Sequence, residues 1–99
     1  MVAVTNTQRE HFAGIDALTR VVYRGSPSWT QVQLESHLAI FPQGQFVALD
    51  DHSGEVVGMA ASLIVWWDDY DIASSWRDFT ANGYFTNHDP AKGRTLYGA

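Results

Sequence analysis

The sequence predicts a layered α+β domain with the order strand, helix, helix, strand, strand, long connection, strand. Three observations carry this. Gln45 to Val65 reads as two apolar strands joined by a short polar link; two capped amphipathic stretches precede it; and the chain closes on the extended pentapeptide Thr95-Leu96-Tyr97-Gly98-Ala99.

Val2-Ala3-Val4 forms a short first strand. Thr7-Gln8-Arg9-Glu10 then fits a capping box, in which the Thr7 hydroxyl and the Glu10 carboxylate each satisfy a free backbone N–H. Phe12, Ile15, Leu18 and Val22 follow at helical spacing. Gly25 suits the left-handed stop and Pro27 forbids continuation. Thr30-Gln31-Val32-Gln33 is a second box, with Trp29 placed to fold onto Leu34 as a hydrophobic staple. Leu34, His37, Leu38 and Phe41 make one apolar stripe, ended by Pro42-Gln43-Gly44, with His37 packing at the edge of the core.

The hairpin comes next. In Gln45 to Asp50, Phe46 and Ala48 share one face and Val47 and Leu49 the other; Glu55 to Val65 is also apolar on both faces. Such strands are covered on both sides, whereas half-solvated strands alternate with polar residues. The link Asp51-His52-Ser53-Gly54 is polar and ends in glycine, as a hairpin loop requires.

The connection from Trp66 to Gly93 holds the remaining chemistry. Ile72, Trp76 and Phe79 predict a short amphipathic helix capped by Asp71, and Asn82-Gly83 and Asn87-His88-Asp89-Pro90 read as turns. Trp66, Asp68, Asp69 and Tyr70, with Trp29, are the candidate substrate-binding residues. Carboxylates attract an ammonium and aromatic faces add cation–π attraction, so the expected ligand is a cationic amine. The competing reading is a solvated acidic loop with its aromatics turned inward.

Composition narrows the classes. Ninety-nine residues with four Trp and five Phe support one small core. The net charge of -5 argues against nucleic acid, whose phosphates would repel it. The apolar run Val56 to Trp67 is too short to cross a bilayer, and no signal peptide is visible at the N-terminus. Zero cysteines exclude disulfides, thiolate metal sites and a cysteine nucleophile, and agree with a cytoplasmic location. Asp68, Asp69, Asp71, His88 and Asp89 lack any metal-ligand spacing, so no metal site is expected. No serine has an acid–base partner at motif spacing, and His11 and His52 read as exposed.

The specific words resemble a known family. Arg20-Val21-Val22-Tyr23 leading into Gly25-Ser26-Pro27-Ser28-Trp29, then Gln45-Phe46-Val47-Ala48 and Gly54-Glu55-Val56-Val57-Gly58-Met59-Ala60, resemble the front half of GNAT-superfamily N-acetyltransferases. Trp67-Asp68-Asp69-Tyr70-Asp71, Trp76-Arg77-Asp78, His88-Asp89-Pro90 and Thr95 to Ala99 look like one subgroup, sometimes fused to a nitrilase-like amidohydrolase. The resemblance implies acetyl-CoA as donor, an amine acceptor, and an acceptor side shaped by Gly25 to Trp29 and Trp66 to Tyr70. It also implies a GNAT-like half-domain over residues 1–99, with a mixed or antiparallel sheet and a fourth strand cut at its start. The family's pyrophosphate signature, Gln/Arg-x-x-Gly-x-Gly/Ala, is missing: none of the eight glycines stands two positions from another. No cofactor-binding residue and no catalytic residue is therefore assigned, and the chain alone is expected to be inactive. The alternative is a non-catalytic module that binds a partner or itself. A homo-oligomer, or pairing with a missing C-terminal half, is expected through Val56 to Val65 and the last strand, whose edges would template another chain; the rival is a monomer whose Trp66 to Gly93 segment folds back over the open edge.

Overall fold

A computed structural model describes residues 1–25, 28–71 and 74–99. Among them, five strands and three helices run in the order β1 Val2–Asn6, α1 Phe12–Val22, α2 Gln31–Ile40, β2 Phe46–Asp50, β3 Val56–Ala60, β4 Ser62–Val65, α3 Trp76–Thr80 and β5 Thr95–Gly98. One-turn 3-10 segments lie at Arg9–His11, Pro42–Gly44 and Trp67–Asp69. The sheets are antiparallel throughout: β1-β2-β3 form one and β4-β5 the other. This α+β arrangement is compatible with a GNAT-like half-domain. The roles of Pro27 and Ile72 fall outside the described residues.

The expected single strand from Val56 to Val65 is broken at Ala61, because the chain changes partner there. Val47 opposes Met59 and Phe46 opposes Ala60, whereas Ser62 opposes Gly98 and Val65 opposes Thr95. The Ala99 N–H donates to Ala61 O at 2.9 Å. Gln45 closes the gap between the sheets with its side chain. Its Nε2 donates to Ser62 O (2.7 Å) and Phe41 O (2.9 Å), and its Oε1 accepts from Ser62 N–H (3.2 Å). An amide side chain thus stands in for the next backbone unit of β2. Two residues further along the same edge of β4, Ile64 is held by the connection: its N–H donates to His88 Nδ1 (2.9 Å) and its carbonyl accepts from Asp89 N–H (2.8 Å).

The β1-β2-β3 sheet is covered on one face rather than two. Val47 is buried, with Leu49 and Met59 packed beside it against Phe12, Ile15 and Leu34 of the two helices. The opposite face carries Val2, Val4 and Phe46, all exposed. Apolar pattern reports which residues could be covered; the described residues supply helices for one face only. The hairpin link behaves as read: Gly54 adopts φ 75 and its N–H closes the turn onto Asp50 O at 2.7 Å.

Three helix-end expectations shift. Thr7 does not cap: it is buried and its N–H joins the sheet edge at Gln45 O (3.0 Å). The chain turns one residue later, where His11 Nδ1 accepts from Gln8 N–H (2.9 Å). The buried stripe of α1 ends at Thr19, not Val22; the Thr19 hydroxyl is satisfied by Ile15 O at 2.9 Å and Val22 faces solvent. The third helix starts at Trp76 with Ser75 as its cap rather than Asp71. The Thr30–Gln33 box forms as read, both bonds at 3.1 Å. Trp29 packs beside Leu34 in the first core cluster and also against Phe85.

Candidate functional site

The site begins with a clamp. Gln33, Ser36 and His37 recur at helical spacing, so they share one face of α2. Gln33 Nε2 donates to Asn82 O (3.0 Å), Ser36 Oγ to Tyr84 O (2.6 Å), and the His37 Nε2–H to Gly83 O (2.6 Å). Three successive carbonyls of the connection are therefore gripped by one helix. The gripped turn is unusual: Ala81, Asn82, Gly83 and Phe85 all have positive φ, of 52, 60, 85 and 64. For non-glycine residues that backbone costs about 1–2 kcal/mol each, and such cost concentrates near functional sites.

His37 is the pivot. It is 2% exposed, stacks on Phe85 with centroids 3.7 Å apart, and meets Trp29 edge-on at 4.9 Å. Burial pushes its pKa down to about 4, against the opposing effect of the Gly83 carbonyl, so the ring is neutral at physiological pH. It is thus a central core residue, not an edge one.

The clamp opens a cleft of about 700 Å³ between the α1–α2 side and α3. Its walls include the indoles of Trp29 and Trp76, with centroids 5.7 Å apart and planes at 47°. Arg77, Asn82 and Gln33 supply polar groups, and Ala99 brings the end of β5 to the same space. On the α1 side, Ser28 Oγ donates to Asp16 Oδ1 at 2.7 Å. Bonds from Ser28 and Arg20 hold the Asp16 carboxyl below the usual carboxylate range. The volume and mixed lining are those of a small-molecule site.

The five candidate residues separate in space. Trp29 lines the cleft. Trp66 lies beneath Lys92, whose Nζ sits 4.0 Å from its ring centre. Asp68 and Asp69 are exposed on the 3-10 turn that follows β4. Tyr70 stacks on Phe79 at 4.5 Å, and its hydroxyl accepts from Asn87 Nδ2 at 2.6 Å. Phe79 in turn stacks on Tyr97 of β5 at 4.7 Å, so these rings fasten the connection to the sheet. Trp76, Arg77 and Asn82 line the cleft without any spacing or motif that marks them as binding residues. The Asn82-Gly83 dipeptide was the available signal: it marked a turn, and the turn aims α3 at Trp29.

Among the described residues no group of three or more His, Cys, Asp or Glu is placed to hold a metal. No described helix is long and apolar enough to cross a membrane. No described serine is hydrogen-bonded to a histidine.

No family model matches the chain. An uncharacterised N-acetyltransferase, YkwB of Bacillus subtilis strain 168, is 38% identical over 69 residues, which are 70% of this chain and 29% of that protein. The chain is a partial homologue of an N-acetyltransferase. A second Bacillus subtilis protein, the probable hydrolase YhcX, is 36% identical over 97 residues, 98% of this chain and 18% of that protein. The chain thus spans less than a third of the length of either relative.

Proposed function

We propose that these residues form the acceptor side of a GNAT-like N-acetyltransferase, which moves the acetyl group of acetyl-CoA to a small amine. The observation that carries the reading is the Trp29–Trp76 cleft, bounded by the end of β5, in a chain homologous to an N-acetyltransferase. In such a transfer a neutral amine attacks the thioester carbonyl, so the site must orient the amine and let its proton leave. The indoles and Asn82 do the orienting. Asp16 is a poor base, since its carboxylate already accepts from Ser28 and Arg20.

The residues present do not fit the donor's pyrophosphate. A phosphate cradle needs free backbone N–H groups at a glycine turn or helix start. Arg94 to Ala99 instead runs into strand β5, where Gly98 opposes Ser62. The donor is therefore assigned to polypeptide other than these residues. The hydrolase activity in YhcX's name is that of a much longer protein, of which this chain matches 18%, and it is not assigned to these residues. A second reading, a self-associating or partner-binding module, draws on the outer edge of β3, which pairs with no described strand.

A fusion of this chain to the C-terminal part of the YkwB N-acetyltransferase tests the proposal. The expected result is acetyl-CoA-dependent acetylation of small amines, with Trp76→Ala lowering kcat/KM about tenfold or more, while the 99-residue chain alone gives no acetyl-CoA isotherm at micromolar concentration. A folded fusion that binds acetyl-CoA and transfers nothing would overturn it in favour of the binding module.

A further inference from the structure

We infer that the cleft selects an amino-acid-like acceptor, one that carries a carboxylate and a flat apolar body besides its amine. This deepens the reading of the cleft as the acceptor side. Its first support is Arg77. Arg77 lines the cleft from α3, and among the described residues no carboxylate lies within ion-pair distance of its guanidinium. Its sequence neighbour Asp78 is engaged elsewhere, with Oδ2 accepting from the Ser75 N–H (2.8 Å) and hydroxyl (3.2 Å). A guanidinium forks to a carboxylate through two parallel N–H donors, a geometry an ammonium cannot copy.

The second support is Ser28, which lines the same cleft. Ser28 commits its hydroxyl proton to Asp16, so its oxygen presents lone pairs and accepts rather than donates. An amine N–H is the group that satisfies it. The third is shape: the two indoles touch, with centroids 5.7 Å apart and planes at 47°, and form one aromatic wall on which a flat group can stack. Arg77 takes the carboxylate, Ser28 the amine and the Trp29–Trp76 wall the flat body, while Gln33 in the same lining is already committed to Asn82 O. A polycation fits poorly, because it would meet Arg77 while the carboxylates of Asp68 and Asp69 stand on a different turn.

Calorimetric titration of the 99-residue chain with L-phenylalanine, 3-phenylpropionate and phenethylamine tests this. L-Phenylalanine should bind tightest, and phenethylamine, which lacks the carboxylate, about tenfold or more weaker. Arg77→Gln should bring L-phenylalanine down to the level of phenethylamine and leave the thermal melt unchanged, since the Arg77 side chain is exposed; Arg77→Lys should restore part of the difference. Phenethylamine binding as tightly as L-phenylalanine, an unaltered preference in Arg77→Gln, or no binding by any of the three at millimolar concentration would each overturn the inference. Those failures leave the transfer reading standing, because an acetyltransferase for plain amines would still acetylate them.

Discussion

Replacing Gln45 with alanine should destabilise the protein by about 3–5 kcal/mol. The side chain is 3% exposed and serves three backbone groups: Ser62 N–H, Ser62 O and Phe41 O. Truncation leaves them buried without partners, each costing roughly 1–3 kcal/mol, partly relieved where water enters the space left behind. The loss also uncouples the two sheets, since Gln45 continues β2 across to β4. Domains of this size hold only about 5–15 kcal/mol in total, so the variant should lose a large fraction of its stability. Gln45→Glu is the sharper control: it keeps the shape but turns a donor into a carboxylate facing two carbonyls. Urea unfolding midpoints measure both; a loss under about 1 kcal/mol for Gln45→Ala would show that the sheets are coupled by other means.

Acidification should weaken the fold through His37. Its folded pKa is about 4, below the unfolded value of about 6.5. Above the unfolded value neither state is protonated and the full stability is present. Between the two values the unfolded chain takes up a proton that the folded chain refuses, so stability falls by about 1.4 kcal/mol per pH unit, roughly 3 kcal/mol in all. Below the folded value the ring is protonated in both states and the loss levels off. His88 is shifted in the same direction by burial and adds to the slope. His37→Gln isolates the larger share: it keeps a donor for Gly83 O but cannot titrate. Its melting temperature should depend on pH distinctly less than that of the unaltered chain. Parallel pH profiles for the two would contradict a buried neutral imidazole at this position.

Local signals in the sequence translated directly where both partners sit within one turn. Thr30 and Gln33 close their box because the bond to Thr30 N–H uses only the Gln33 Oε1, leaving its Nε2 free to reach Asn82 O. Thr7 reads equally well as a cap but joins the sheet edge at Gln45, a residue far along the chain. The apolar run from Val56 to Val65 is truthful about burial at Val56, Leu63 and Val65, yet blind to the change of partner at Ala61. The site divides in the same way. Trp29 was legible because its neighbours in sequence fix it. Trp76, Arg77 and Asn82 were not, because a run of left-handed residues and three side chains of α2 bring them to Trp29. Tertiary hydrogen bonds of that kind leave no periodicity.

The chain's four tryptophans supply the most direct test of the cleft as the acceptor site. Trp29 and Trp76 face it; Trp66 lies under Lys92 and Trp67 is exposed on the 3-10 turn beside Asp68 and Asp69. Their indole N–H signals in a nitrogen–proton correlation spectrum, assigned by single Trp→Phe variants, report both places at once. On titration with L-phenylalanine the Trp29 and Trp76 signals should move together with one saturation curve, while those of Trp66 and Trp67 stay fixed. Movement of Trp66 and Trp67 with Trp29 and Trp76 unmoved would place the acceptor on the acidic turn and contradict the cleft.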